Sequence, residues 1–271
     1  STTPGVAHLC GHDGHVAALL GTAMVLSRLR ENLNGNVKFF FEPAEESGVL
    51  DDVSGAARMI ADGALNDPRP NAIFGGHFYP DWPAGSIALR SGASFSGNDT
   101  MKLTVIGRES HSAMPNTGID AIVVAAQVIT AMQSMAAREI DVGEAASFTI
   151  GTIRGGRAAN LLAERVEMNA TIRISDEDHR DSLPAKLERV VKGVCEAFGA
   201  NYELEYKLRN LPPVVSTMPE VKIMSSAVKE VLGDDQVIPM RHPRLAADTM
   251  QNWLEHAPGF FSWLEYQTQI R

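Results

Sequence analysis

The chain has 271 residues, 44% of them hydrophobic and 21% charged, and a formal net charge of −9. That is globular composition with apolar residues enough for a sizeable core, in one large domain or two smaller ones. The negative charge argues against nucleic acid or anionic membrane as a partner, and no window holds the ~18 uninterrupted apolar residues of a membrane span.

The first segment, "STTPGVAHLC", has no initiator Met, no basic start and no apolar signal core. The chain reads as if entered in the middle, and "FFSWLEYQTQIR" runs from an apolar stretch straight to its end. "HVAALLGTAMVLSRLREN" has helical apolar spacing and closes on basic residues, as the helix dipole prefers. "NVKFFFEP" is a short apolar run ended by Pro43 and predicts a buried strand. "SGAARMIADGAL" predicts a helix capped by Ser54, and "NAIFGGHF" a second buried strand. Helices alternating with fully apolar strands imply a parallel sheet covered on both faces.

The pattern changes near Ser94. "TMKLTVIG", "ASFTIGTIRGG", "RVEMNATIRIS" and "YELEYKLRN" alternate polar with apolar residues and predict half-buried strands. Between them, "DAIVVAAQVITAMQSMAAR" and "DSLPAKLERVVKGVCEAFG" predict helices. The order β-α-β-β-α-β is that of the split βαβ, or ferredoxin-like, unit. "NLPPVVS" reads as a linker, after which "PEVKIMSSAVKEVLG" and "DTMQNWLEHA" return to helix patterns. The fold class expected is therefore an α/β domain with a mixed, mostly parallel sheet, interrupted by an inserted α+β domain. Residues 1–93 and 211–271 would form the first and 94–210 the second.

The only cysteines are Cys10 and Cys195, too few for a disulfide framework, which favours a reducing compartment such as the cytoplasm. "HLCGHDGH" puts Cys10 two residues from His12, so one loop can aim thiolate and imidazole at a single ion. The same spacing also suits a free cysteine in a polar loop. "EPAEESG" follows the second predicted element and carries adjacent acids, Glu45 and Glu46. Open α/β sheets bind ligands beyond the carboxyl ends of their strands, and paired acids there are costly without a cation or proton. One acid can hold a metal while its neighbour takes a proton from a water there; a solvated acidic loop is the plainer alternative. His77 stands at the end of "IFGGHF", His111 in "GRESHSAMP" and Asn160 after the glycine pair of "GGRAANLL". Each alone suits loop or structural polarity. Cys10, His12, Glu46 and His77 together supply donors for one or two divalent ions, with zinc, manganese, cobalt and nickel all admissible.

In order and approximate spacing, "CGHDGH", "EPAEESG", "IFGGHF", "GRESHSAMPNTGIDAI" and "GGRAANLL" resemble the dinuclear-metal amidohydrolases. That family includes aminoacylase-like enzymes, hippurate hydrolase and the plant hydrolases of indole-acetyl amino acids. The resemblance implies a catalytic domain with an inserted lid or dimerisation domain, a homodimer, and a small N-acyl amino acid or peptide-like substrate. It implies Cys10, His12, Glu46 and His77 as metal ligands and Glu45 as general base. His111 would stabilise the oxyanion, reaching into a partner subunit's site, and Asn160 would bind the substrate's polar end. Asp13 and His15 would support these residues or start the helix, while His8 has no implied role.

The sequence departs from the family at several places. The acidic motif Ala-Asp-x-Asp-Ala-Leu, upstream of the cysteine in the family, and a ligand histidine beyond "PGFFSWLEYQ" are outside the sequence. Glu265 stands for a usual glycine, Ala247 replaces the first acid of a Glu-Asp-Phe motif, and "SGVLDDVSGA" is a long link. The alternative reading is a relative without catalysis that serves as a dimerising or ligand-binding module. A Cys10 nucleophile activated by His12 leaves the paired glutamates and His77 without a role.

Overall fold

The computed structural model describes residues 3–47 and 54–265, leaving aside the side chains of 47 and 208–210. Residues 48–53 of the long link and those following Glu265 lie outside the described residues. In chain order the elements are α1 (His12–Arg28), α2 (Gly55–Ala61), β1 (Ile73–Tyr79), β2 (Ile87–Leu89), β3 (Gly92–Ala93), β4 (Gly97–Ile106), α3 (Ala121–Glu139), β5 (Ala146–Gly155), β6 (Arg165–Ile174), α4 (Glu177–Phe198), β7 (Asn201–Leu211), β8 (Val215–Ser216), α5 (Met218–Leu232), β9 (Val237–Pro239), α6 (Met250–Leu254) and β10 (Gly259–Glu265). They fall into two compact units. The first comprises Ser1–Ser94, Val214–Pro243 and Asp248–Arg271, the second Phe95–Pro213 and Arg244–Ala247.

The first unit is built on a four-stranded sheet in the order β1-β10-β2-β9. The outer pairs are parallel and the middle pair antiparallel, so the sheet is mixed and mostly parallel. β10 is its buried centre: Phe260, Phe261 and Trp263 are all nearly inaccessible. Glu265 ends this strand, buried, and its Oε2 accepts from the backbone N–H of Trp82 at 3.1 Å. The ribbon β3/β8 joins the stretches where the chain leaves and re-enters the unit. The Ser54 cap forms as expected, its side chain accepting from the N–H of Ala57.

One expectation for this unit fails. Residues 36–42 join no β-ladder among the described residues, so "NVKFFFEP" is not a sheet strand here. α1 packs on β1, an edge strand, and leaves Leu20, Met24 and Val25 exposed. An apolar cleft of about 530 Å³ opens between these parts, lined in part by Val16, Leu19, Phe40, Phe74, Trp253 and Phe261.

The second unit carries an antiparallel sheet in the order β5-β6-β4-β7 with α3 and α4 on one face. The alternating strands explain the layering. In β6, Val166, Met168, Ala170, Ile172 and Ile174 point to the core while the intervening residues are less buried. α3 is apolar and long enough by composition to cross a membrane. Here it buries Val124, Ala125, Val128, Met132 and Met135 in that core. α4 starts four residues before the predicted helix because Asp176 caps it, its side chain accepting from the N–H of His179. The earlier start brings Arg180 into the core, where it is fully buried. Its guanidinium donates to both oxygens of Asp99, at 3.0 and 2.5 Å, and Tyr206 donates its hydroxyl to the same carboxylate at 3.1 Å.

Candidate metal centre

Gly11 heads α1 at φ 78°, in the left-handed region that favours glycine. The turn it makes separates Cys10 from His12, which begins the helix. His77 comes from β1. The "GG" before it packs closely: a Cβ on Gly75 would lie 2.8 Å from the Met250 sulfur and one on Gly76 2.9 Å from Ser262 Oγ, so either would make those side chains shift. Loop, helix start and strand thus meet. Cys10 Sγ lies 3.4 Å from His77 Nε2, and one donor atom each from Cys10, His12 and His77 falls within 4.8 Å of the others.

The imidazoles are set for ligation. His77 Nδ1 lies 2.6 Å from the Phe78 carbonyl, which can only accept. The proton therefore sits on Nδ1, and Nε2 faces Cys10 with its lone pair free for a metal. The Phe78 N–H donates to His15 Nε2 at 2.9 Å, so both polar groups of this residue are held by histidines. Burial, then the neighbouring His77 and His12, lowers His15 to about 4 and keeps its ring neutral. Burial likewise lowers His77. His15 follows His12 by one helical turn, a spacing that in principle exposes its role in the sequence.

The acids arrive on a 3-10 turn, Glu45–Ser47. His12 Nε2 is 3.8 Å from Glu45 Oε2 and 3.7 Å from Glu46 Oε1, and these three residues form a second group of donors within 4.8 Å. Glu45 is half-buried and Glu46 exposed. Burial, then the charge of Asp248, pushes Glu45 up to about 7, against the N–H of Thr249 that donates to it at 3.3 Å. Asp248 is itself pushed up to about 7 by burial, with Glu42 and Glu46 adding to the shift. Asp248 belongs to the "AADT" segment. Cys10 is raised to about 11 by burial and by a hydrogen bond to Glu46, which disfavours a free nucleophilic thiolate. Concentrating these acids and a thiol at one place is costly unless a cation compensates. The donor set of thiol, neutral imidazoles and carboxylates fits a borderline divalent ion.

His111 and Asn160 lie in the second unit and close to one another. His111 forms a β-bridge with Leu161, and the Ser112 N–H donates to the Asn160 carbonyl at 2.9 Å. Both residues are exposed. His111 Nδ1 accepts from the Ala113 N–H at 3.1 Å.

The family model for peptidase family M20/M25/M40 matches residues 1–267. The chain belongs to this family. "Probable hydrolase sll0100" of Synechocystis sp. is 40% identical over 261 residues, 96% of this chain and 64% of the relative. "N-acetylcysteine deacetylase" of Bacillus subtilis is 33% identical over 264 residues, 97% of this chain and 67% of the relative. The solved structure of the Bacillus subtilis YXEP protein, a dinuclear metal binding peptidase of family M20, superposes with a TM-score of 0.80 at 28% identity. That match covers 100% of this chain and 68% of YXEP. The chain thus spans about two thirds of the length of these M20 relatives.

Proposed function

We propose that this M20-family chain is a metal-dependent hydrolase of the amide bond in small N-acyl amino acids. The observation that carries the reading is the meeting of Cys10, His12 and His77 beside Glu45 and Glu46. The name of the deacetylase relative supports the substrate class and that of YXEP the metal.

Cys10, His12, His77 and Glu46 would hold one or two divalent ions. Such an ion acts as a Lewis acid toward a carbonyl and toward water. Glu45 stands on the opposite side of the role, as the base that takes the proton of the attacking water and returns it to the leaving amine. Its placement supports this: it is the more buried of the two acids and is anchored by the Thr249 N–H. His111 would donate to the oxyanion and Asn160 would hold the substrate's polar end. The second unit would be a ferredoxin-like lid and dimerisation domain; its β5 edge strand, beside exposed Ile122 and Val123 on α3, offers a surface for a second copy. Both cysteines are free thiols, which suits the cytoplasm.

The chain is expected to hydrolyse members of an N-acyl amino acid panel supplied with zinc, manganese, cobalt or nickel, and to lose that turnover on chelation. Turnover untouched by chelator contradicts the metal role, and no turnover with any metal favours the binding module. The shared site makes a separate prediction. Mixing His111→Ala with Glu45→Gln chains should restore part of the activity neither has alone, because one hybrid site keeps both groups. No recovery, with hybrids shown to form by native mass spectrometry, counts against a shared site.

A further inference from the structure

Glu42 precedes the paired acids by three residues and has no part in the ligand set. Its carboxylate nevertheless gathers three donors from two segments remote in sequence. Oε1 accepts from the Ala56 N–H, at the start of α2, at 2.8 Å and from the Thr249 hydroxyl at 2.7 Å. Oε2 accepts from the Trp253 indole N–H, on α6, at 3.0 Å. Thr249 and Trp253 are almost wholly buried, and Trp253 stacks on Phe40 at 4.6 Å, so the donors have little freedom to turn elsewhere.

Thr249 faces two carboxylates. Its hydroxyl goes to Glu42, while its backbone N–H goes to Glu45 at 3.3 Å. The packing beneath is equally close: a Cβ on Gly55 would lie 1.7 Å from the Pro43 carbonyl, so the segment leaving Glu42 is pressed on the head of α2. Ser54 Oγ accepts from Asn252 at 2.7 Å and binds the same two segments again. Glu42 is thereby fixed on both sides, and Thr249 relays that fixity to Glu45.

We propose that Glu42 is a positioning residue that orients Glu45 through Thr249. This rests on the reading of Glu45 as the base. A glutamine at 42 cannot serve all three donors, because its amide nitrogen must face one of them. A valine at 249 keeps the N–H to Glu45 but removes the hydroxyl that Glu42 holds. Neither change removes an expected metal ligand, and misplacement of a catalytic group lowers turnover without touching ligand number.

The test compares wild type, E42Q, T249V, the double variant and E45Q, with kcat and KM measured on the zinc-loaded chain and zinc affinity by calorimetry. The expected result is a fall in kcat of about tenfold in E42Q and T249V, with KM and zinc affinity within about threefold of wild type. The double variant should be no worse than the poorer single one, as for two members of one relay. Unchanged kcat in both single variants, or losses that multiply in the double, overturns the inference. A parallel fall of zinc affinity and kcat also overturns it, because Glu42 then merely holds the loop together. Should wild type show no turnover, or E45Q keep it, the base reading fails by itself. Amide exchange at Thr249 then decides the positioning role: about tenfold faster in E42Q supports it, and an unchanged rate rejects it.

Discussion

Glu45→Gln is expected to lower turnover by about 10²- to 10⁴-fold, the range for loss of a positioned general base. Glutamine keeps the size of the side chain and can still accept the Thr249 N–H. It cannot take a proton from water at neutral pH. Metal affinity should change little, because Cys10, His12, His77 and Glu46 are untouched. The loss should therefore fall on kcat, with KM nearly constant. Steady-state kinetics and calorimetric titration of the metal separate these quantities. Turnover near that of wild type would remove Glu45 from the mechanism. A collapse of metal affinity would make Glu45 a ligand, a role its 3.8 Å approach to His12 also admits geometrically.

The second large effect is on stability. Asp99→Ala is expected to cost about 3–5 kcal/mol, because it takes the bidentate partner from a buried guanidinium and leaves only the long, half-exposed contact to Glu177 at 3.4 Å. Arg180 has no exposed side-chain surface, and two of its nitrogens are given to Asp99, with the Leu211 carbonyl accepting at 3.2 Å. Tyr206 loses its acceptor in the same variant. A cavity cannot solvate the remaining charge. Replacing both partners, as Asp99→Leu with Arg180→Met, should recover most of the loss, since neither charge then needs a partner. Chemical denaturation of the two variants tests this. A cost below about 1 kcal/mol for Asp99→Ala would show that water reaches the pair.

Much of the second unit was legible because β6 and the described part of β7 alternate in burial, so every other residue reports the core. The first unit was harder. β2 and β9 are three residues each, too short to show a period, and β10 is buried on both sides, so "GFFSWLE" reads only as an apolar run. "NVKFFFEP" shows the opposite failure: its apolar residues predict a strand, but strand identity also needs a ladder partner, which composition does not report. Within the site, Cys10, His12, Glu45, Glu46 and His77 were visible as reactive types at element ends, and the structure brings them together. His111 and Asn160 instead share a surface of the second unit. Asp248 and Glu42 carry no such signal in the sequence. Asp248 sits about two hundred residues from Glu45, and the role of Glu42 comes from Thr249 and Trp253, partners equally remote in sequence.

The most direct measurement is the metal content of protein purified without chelator, set beside a Cys10→Ser/His77→Ala variant prepared identically. The result expected is about one to two transition-metal ions per folded wild-type chain and a loss of at least half of that in the variant. Equal metal in the two preparations, or none in wild type even after loading with excess zinc, would contradict a metal centre at Cys10, His12 and His77.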